Sequence, residues 1–245
     1  AINVNQVGVD GFVTATTDAA QSNLSSASNL VLVTLAGSLE SMSAGGAIST
    51  AGNVLLQAVG ATSDITLGAA LSNTAGHTSL SAARSVVQNA NITATGTGTI
   101  DVSAGTAISM ADGASSSTGT GNIRYAAVST LTLGALSTAG DVSLSASSIA
   151  DAGAAGTDSV NVTADELRLV TTGVASGNGV GTGANHLEVN VTRLAGNIQG
   201  TGTGGLYVSE SNGLEVGTLN AINVNQVGVD GFVTATTDAA QSNLS

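Results

Sequence analysis

Six stretches of the chain carry one pattern: Gly52-Asn-Val-Leu-Leu-Gln-Ala58, Gly76-His-Thr-Ser-Leu-Ser-Ala82, Gly98-Thr-Ile-Asp-Val-Ser-Ala104, Gly121-Asn-Ile-Arg-Tyr-Ala-Ala127, Gly140-Asp-Val-Ser-Leu-Ser-Ala146 and Asp158-Ser-Val-Asn-Val-Thr-Ala164. Each opens with a turn residue and a polar residue. Two apolar positions then flank a variable one, and the stretch closes on Ala. Side chains of a strand point alternately to its two faces, so Val54 with Leu56, or Val142 with Leu144, would lie on one inner face. Weaker versions begin at Gly11 and Gly204.

From Gly52 to Gly140 the spacings are 24, 22, 23 and 19 residues. Shorter alternating segments fall between them: Ile65-Thr-Leu67, Ile92-Thr-Ala94, Leu131-Thr-Leu133, Leu167-Arg-Leu169, Leu187-Glu-Val-Asn-Val191 and Ile2-Asn-Val4. Two or three short strands per coil of about 22 residues, joined by Gly, Ser and Asn corners, predict an all-β, right-handed parallel β-helix. The rival is a β-sandwich array, which needs hairpin signals at regular intervals. Asp10-Gly11, Asp112-Gly113 and Asn212-Gly213 are too few for about twenty strands.

Ala1 to Ser25 recurs unchanged as Ala221 to Ser245. The chain therefore reads as one complete solenoid repeat, 1–220, followed by the start of the next, 221–245. Such arrays are extended by adding copies that contact chiefly their neighbours. At about 22 residues per coil a period holds about ten coils, or roughly 48 Å of fibre at a strand spacing of about 4.8 Å. On this reading the sequence is a slice of something longer, with any export signal or anchor outside it.

Composition agrees with a narrow, ordered core. Apolar residues make up 42% of the chain, but the only aromatics are Phe12, Tyr125, Tyr207 and Phe232. Proline is absent, so every backbone N–H is able to join a ladder. Charged residues are only 8%, which argues against disorder. Sixteen acids face four arginines (Arg84, Arg124, Arg168 and Arg193), a net charge of −12 that repels phosphate backbones and anionic membranes. No nucleic-acid partner and no membrane insertion are expected. Without cysteine, disulfides play no part.

The coil motifs, with Leu-Ser-Thr-Ala-Gly-Asp-Val at 136–142, Ala-Asn-His-Leu-Glu-Val at 184–189 and Gly-Thr-Gly-Gly-Leu-Tyr-Val at 202–208, resemble the repetitive segments of large secreted bacterial adhesins of the filamentous-haemagglutinin type. The resemblance implies a β-helical rod exported to the cell surface or matrix, with adhesion and biofilm roles. The secretion-signalling domain of that family is not seen in this stretch.

Gly200-Thr-Gly202-Thr-Gly-Gly205 fits a dinucleotide fingerprint in spelling, but strand-like Leu206-Tyr-Val208 follows where a helix N-terminus is needed. His77 and His186 are the only histidines and no nucleophile-elbow motif accompanies them; His77 fills the slot that holds Asn53, Asn122 and Asp141 in sister coils. Asp165 and Glu166 should point to opposite faces, and Glu188, Glu210 and Glu215 fall singly, unlike the clustered acids of glycan-cleaving enzymes. Calcium is the one cofactor considered, at the turns Val9-Asp10-Gly11 and Ala111-Asp112-Gly113, although no calcium-loop motif occurs. Thr93, Thr95, Thr97 and Thr99 alternate as on an ice-binding face, but most coils carry Ser, Gln or Asn there. Asn23, Asn91, Asn161 and Asn190 begin N-x-[ST] acceptors, or else stack in corner ladders that satisfy turn backbone groups.

The expectation is thus a non-enzymatic structural repeat of a secreted fibrous protein, with no catalytic, cofactor-binding or metal residues and with neighbouring repeats as its end-to-end partners. Lateral self-association and a cell-surface glycan or protein are the further partners considered. The alternatives are a β-helical subunit that polymerises noncovalently and a carbohydrate-active or glycan-binding β-helix.

Overall fold

The computed structural model describes residues 1–154, 159–242 and 244. Among them there is no helix, and parallel strands stack into a β-solenoid of about 8 turns with roughly 23 residues per turn. Three faces build each turn. The widest face holds Leu30–Thr34, Val54–Ala58, Thr78–Ala82, Ile100–Ala104, Ile123–Ala127 and Val142–Ala146. It continues through the later halves of two long strands, Val162–Thr171 and Leu187–Ile198, to Glu215–Val216. A second face stacks Leu39–Ser41, Ile65–Leu67, Val86–Gln88, Ile108–Met110, Thr130–Leu133 and Ser148–Asp151. The third runs from Leu24–Ser26 through Ile48–Thr50, Leu71–Asn73, Ile92–Ala94, Ser115–Ser117 and Ala135–Ser137 to the opening halves of the two long strands.

Registers are regular, so like stacks on like. Along the widest face Leu32, Leu56, Leu80, Val102, Tyr125, Leu144 and Leu169 form one interior column. From Leu56 to Leu169 its members are fully buried. Small branched aliphatics suit this interior because each must fill only the narrow gap between three short strands. Where Tyr125 interrupts the column, its neighbours change with it. Ser116 stands where the third face otherwise has Ile92 and Leu136, and Gln88 where the second has Leu67 and Met110. The phenol fills the space that Ser116 gives up, and its hydroxyl lies 2.7 Å from both Ser116 Oγ and Gln88 Oε1. Burial pushes the phenol's pKa above its ordinary value, keeping it neutral.

The opening glycine of the motif has a steric cause. Gly76, Gly98 and Gly121 sit in one column, and a Cβ on each would meet the carbonyl of the glycine one turn before: Gly52, Gly76 and Gly98 in order. Only a residue without a side chain lets successive corners come this close.

The structure differs from the sequence expectation in four places. The turns number about eight, not ten, with a mean closer to 23 than 22 residues. The weak coil at Gly11 and the strand Ile2-Asn-Val4 belong instead to an antiparallel hairpin, Ile2–Val7 with Val13–Asp18, and residues 222–238 form the same hairpin again. Residues in a hairpin add no turn, which accounts for most of the overcount. At Gly204 the following Leu206 bridges Val180 and Val208 opens a third-face strand, so this stretch is not a widest-face coil. The coil expected at 158–164 is displaced as well. Val162 pairs with Leu136 on the third face, and the widest-face strand of that turn is the segment containing Leu167 and Leu169. Asp158 lies outside the described residues.

Candidate functional site

The two copies of the hairpin occupy opposite environments. In the C-terminal copy, Ile222 and Val224 are each 1% exposed and Val227 2%; their counterparts Ile2, Val4 and Val7 are 68%, 55% and 67% exposed. The difference arises because strand Ile222–Val227 lies on the outer flank of the widest face, against Thr78–Ala82 and Ile100–Ala104. Burying three such aliphatic side chains contributes about 2 kcal/mol apiece before ordering costs.

A column of polar residues beside this flank explains the second position of the coil motif. Asn29 Oδ1 accepts from Asn53 N at 2.9 Å, Asn53 Oδ1 from His77 N at 3.0 Å, and His77 Nδ1 from Thr99 N at 3.1 Å. Two turns further on, Asn122 Oδ1 accepts from Asp141 N at 2.9 Å. The same side chains also reach the hairpin. Asn29 and Asn53 both donate to Gly231 O, at 3.1 and 3.0 Å, and Asn122 donates to Asn223 O at 2.9 Å. Asn225 N donates to Thr99 Oγ1 at 3.0 Å. The corner ladder is therefore also the rail along which the hairpin lies.

Charge closes the far end. Arg124 Nη1 lies 3.0 Å from Asp101 Oδ1, and Arg124 Nε 3.2 Å from Asp238 Oδ2. Ser143 Oγ donates to Asp238 Oδ2 at 2.6 Å, and Arg168 Nε donates to Ala239 O at 3.1 Å. Desolvation raises the Asp101 carboxyl above its ordinary pKa despite Arg124, with Asp238 adding repulsion. For Arg124, burial opposes the charge, but Asp101 and Asp238 outweigh it and raise the pKa. His77 is held below its ordinary value by burial, as suits a ring whose Nδ1 accepts a backbone N–H. A crevice of about 220 Å³ remains between the hairpin and Leu55, Gln57 and Ser81.

The variable strand positions Leu55, Ser79, Asp101 and Ser143, which alternation alone assigns to the solvent side, are buried under this hairpin. The signal that marks the site in sequence is the cross-strand pair of opposite charges, since Asp101 and Arg124 are direct register partners.

The remaining candidates are structural in placement. Gly200 and Gly204 pack against Asn178 O, and no helix follows them. His77 faces Thr99 and Asn225, while His186 stacks on Tyr207 with ring centroids 6.1 Å apart. Glu166 and Glu215 both pair with Arg193, at 2.6 and 3.2 Å. Glu210 accepts from Val191 N at 3.1 Å, and Glu188 N donates to Asn161 Oδ1 at 2.9 Å. Asp10 caps Phe12 N at the hairpin tip. Asp112 lines a cleft of about 110 Å³ with Asp151 and Asn161. Among the described residues no group of three or more acidic or histidine side chains is placed to hold a metal ion. The column through Thr93 reads Ser49, Ser72, Thr93 and Ser117, so threonines are not in register. Of the N-x-[ST] asparagines, Asn161 is buried, Asn91 and Asn190 accept hydrogen bonds from Ser115 and Asn212, and Asn23 is exposed in a left-handed turn.

Compared with protein-family models, curated proteins and solved structures, the chain matches none. Its class is defined by its fold, a β-solenoid. No helix among the described residues is long and apolar enough to cross a membrane.

Proposed function

We propose that this chain is a structural repeat of a secreted fibrous protein, working as a rod in a surface fibre or extracellular matrix filament with an adhesive, biofilm-building role. The observation that carries the reading is a stack of parallel turns, open and apolar at its first end, in a chain whose opening sequence begins again at residue 221. At that end a cleft of about 320 Å³ is lined by Leu24, Leu32, Leu39 and Ile48. An uncovered solenoid end of this kind exposes apolar side chains and unpaired strand groups, which a further turn would satisfy. The acidic surface opposes sideways clumping.

The resemblance of the coils to filamentous-haemagglutinin-type adhesins supports export and adhesion, and it rests on the motifs quoted above. A polymer of separate β-helical subunits and a glycan-active β-helix are the alternative readings. Antibody raised against the repeat tests the proposal on intact producing cells. Surface labelling along thin fibres, with a denaturing-gel band far above one period, is the expected result. A band near one or a few periods selects the subunit polymer, and labelling confined to the cell interior contradicts the proposal.

A further inference from the structure

We propose that the hairpin of residues 2–18 is a clasp that seats on the flank of a second copy of this repeat, as residues 222–238 seat on the flank here. The proposal rests on the repeat reading only in requiring that copies meet. It differs from end-to-end stacking, because the contact runs along the side of the solenoid.

One sequence stands in two environments. The docked hairpin buries Ile222, Val224 and Val227, and the same side chains of the first copy, Ile2, Val4 and Val7, stand more than half exposed. Every polar latch of the docked copy is also present in the first. Asn3, Asn5, Gln6 and Asp18 are the counterparts of Asn223, Asn225, Gln226 and Asp238, which engage Asn122, Thr99, Asp101 and Arg124. Internal geometry is shared too: Thr17 Oγ1 donates to Asn3 Oδ1 as Thr237 Oγ1 does to Asn223 Oδ1, and both loops close through Gly8 or Gly228. The tip phenylalanines are not part of the clasp, since Phe12 and Phe232 are equally exposed at 75%, whereas the neighbouring Gly231 carbonyl is held by Asn29 and Asn53.

The partner is a second copy because its flank is the surface already shown to fit. In this chain that flank is taken by residues 222–238. Two of the four arginines of an acidic chain lie along the docked segment: Arg124, which offers Asp18 its countercharge, and Arg168, whose Nε donates to the carbonyl of Ala239, the counterpart of Ala19. In a covalent array the partner is the preceding repeat; between separate chains it is another molecule whose own C-terminal hairpin has lifted away.

The chain has no cysteine, so engineered pairs report the contact cleanly. As a control, the full chain carrying Ser79→Cys and Val227→Cys should form an intrachain disulfide in a glutathione buffer, since Val227 N lies 2.9 Å from Ser79 Oγ. The test mixes two full-length chains. One carries Ser79→Cys with Val224→Asp, which releases its own hairpin, and the other carries Val7→Cys. A disulfide-linked heterodimer is expected, reduced at least tenfold when Val4→Asp is added to the second chain. Asp238→Ala serves as a milder release should Val224→Asp lower the β-sheet circular dichroism signal. Heterodimer no more abundant than with Val4→Asp, under either release, overturns the clasp, as does failure of the control disulfide. Loss of the fibre reading would show instead in cell labelling, which these cross-links do not touch.

Discussion

Arg124 joins the solenoid to the hairpin: its Nε lies 3.2 Å from both carboxylate oxygens of Asp238, while its Nη1 lies 3.0 Å from buried Asp101. One guanidinium therefore has two unequal tasks. Removing it with Arg124→Ala strands Asp101 as a buried charge and should cost about 3 kcal/mol. Asp238→Ala leaves the inner pair intact and should cost about 1 kcal/mol, confined to hairpin docking. Urea titrations of both variants check the ratio; equal losses would mean that Asp101 does not depend on Arg124.

His77 gives docking a pH dependence of known sign. Burial depresses its folded-state pKa, so its contribution is fully present above the unfolded value of about 6.5 and declines as pH falls through the lower folded value. Protonation at Nδ1 would break the bond from Thr99 N. His77→Asn, the residue of sister coils, should keep the ladder and remove that decline. Amide hydrogen exchange at Asn225 and Val227, corrected for the intrinsic pH dependence of exchange, should show protection falling between pH 7 and pH 5 in the parent and not in the variant.

Asp141 ends a ladder whose neighbours are Asn53 and Asn122, and it has a raised pKa from burial, with repulsion from Glu166 and Asp165 adding to it. A raised carboxyl weakens the fold once it ionises, so Asp141→Asn should stabilise the protein at pH 7. The group is half-buried, and solvent screening limits the gain to about 0.5 kcal/mol. The gain should fade on acidification toward the ordinary carboxylate range, as measured by thermal melts at pH 7 and pH 4.

At the core, Tyr125→Phe removes the hydroxyl shared by Gln88 and Ser116 and should cost about 1–2 kcal/mol. Replacing the three together, Gln88→Leu, Ser116→Leu and Tyr125→Leu, restores the aliphatic pattern of neighbouring turns and should recover most of that loss. A triple variant no more stable than Tyr125→Phe would show that the three positions do not compensate one another.

Gly98→Ala tests the corner column. Its Cβ would collide with Gly76 O, rigid backbone that cannot swing aside. A loss of about 2 kcal/mol is expected, the scale of an overpacked core, and an unchanged denaturation midpoint would contradict the close stacking.

Alternation of Val54 with Leu56 and of Val142 with Leu144 was enough to read the solenoid and its inner face, because the interior accepts only apolar side chains. The hairpins were harder to see. Ile2-Asn-Val4 alternates in the same way as a solenoid strand, and period-two patterning does not say whether a strand pairs with its chain neighbour or with a turn below. Asp10-Gly11, with Gly11 at φ +78°, was the local hairpin signal, and its weight was lost among turns of other kinds. For the same reason Ser79, Asp101 and Ser143 read as solvent-facing. Their burial depends on partners 95 to 148 residues away in the chain, which local pattern does not encode. The shared slot of Asn53, His77 and Asn122 was legible in the sequence, but the corner ladder was expected at Asn23, Asn91, Asn161 and Asn190. That this slot forms the ladder, and that Asn53 and Asn122 also donate to the hairpin, was not legible.

The most direct test of the account is the axial repeat of a tandem of several 220-residue periods seen by electron microscopy. With about eight turns per period, and the rest of each period folded back as hairpin, a smooth rod should repeat every ~40 Å with a ~4.8 Å layer line. A repeat near 48 Å would mean that the hairpin residues form further turns, and compact beads joined by linkers would contradict a continuous solenoid altogether.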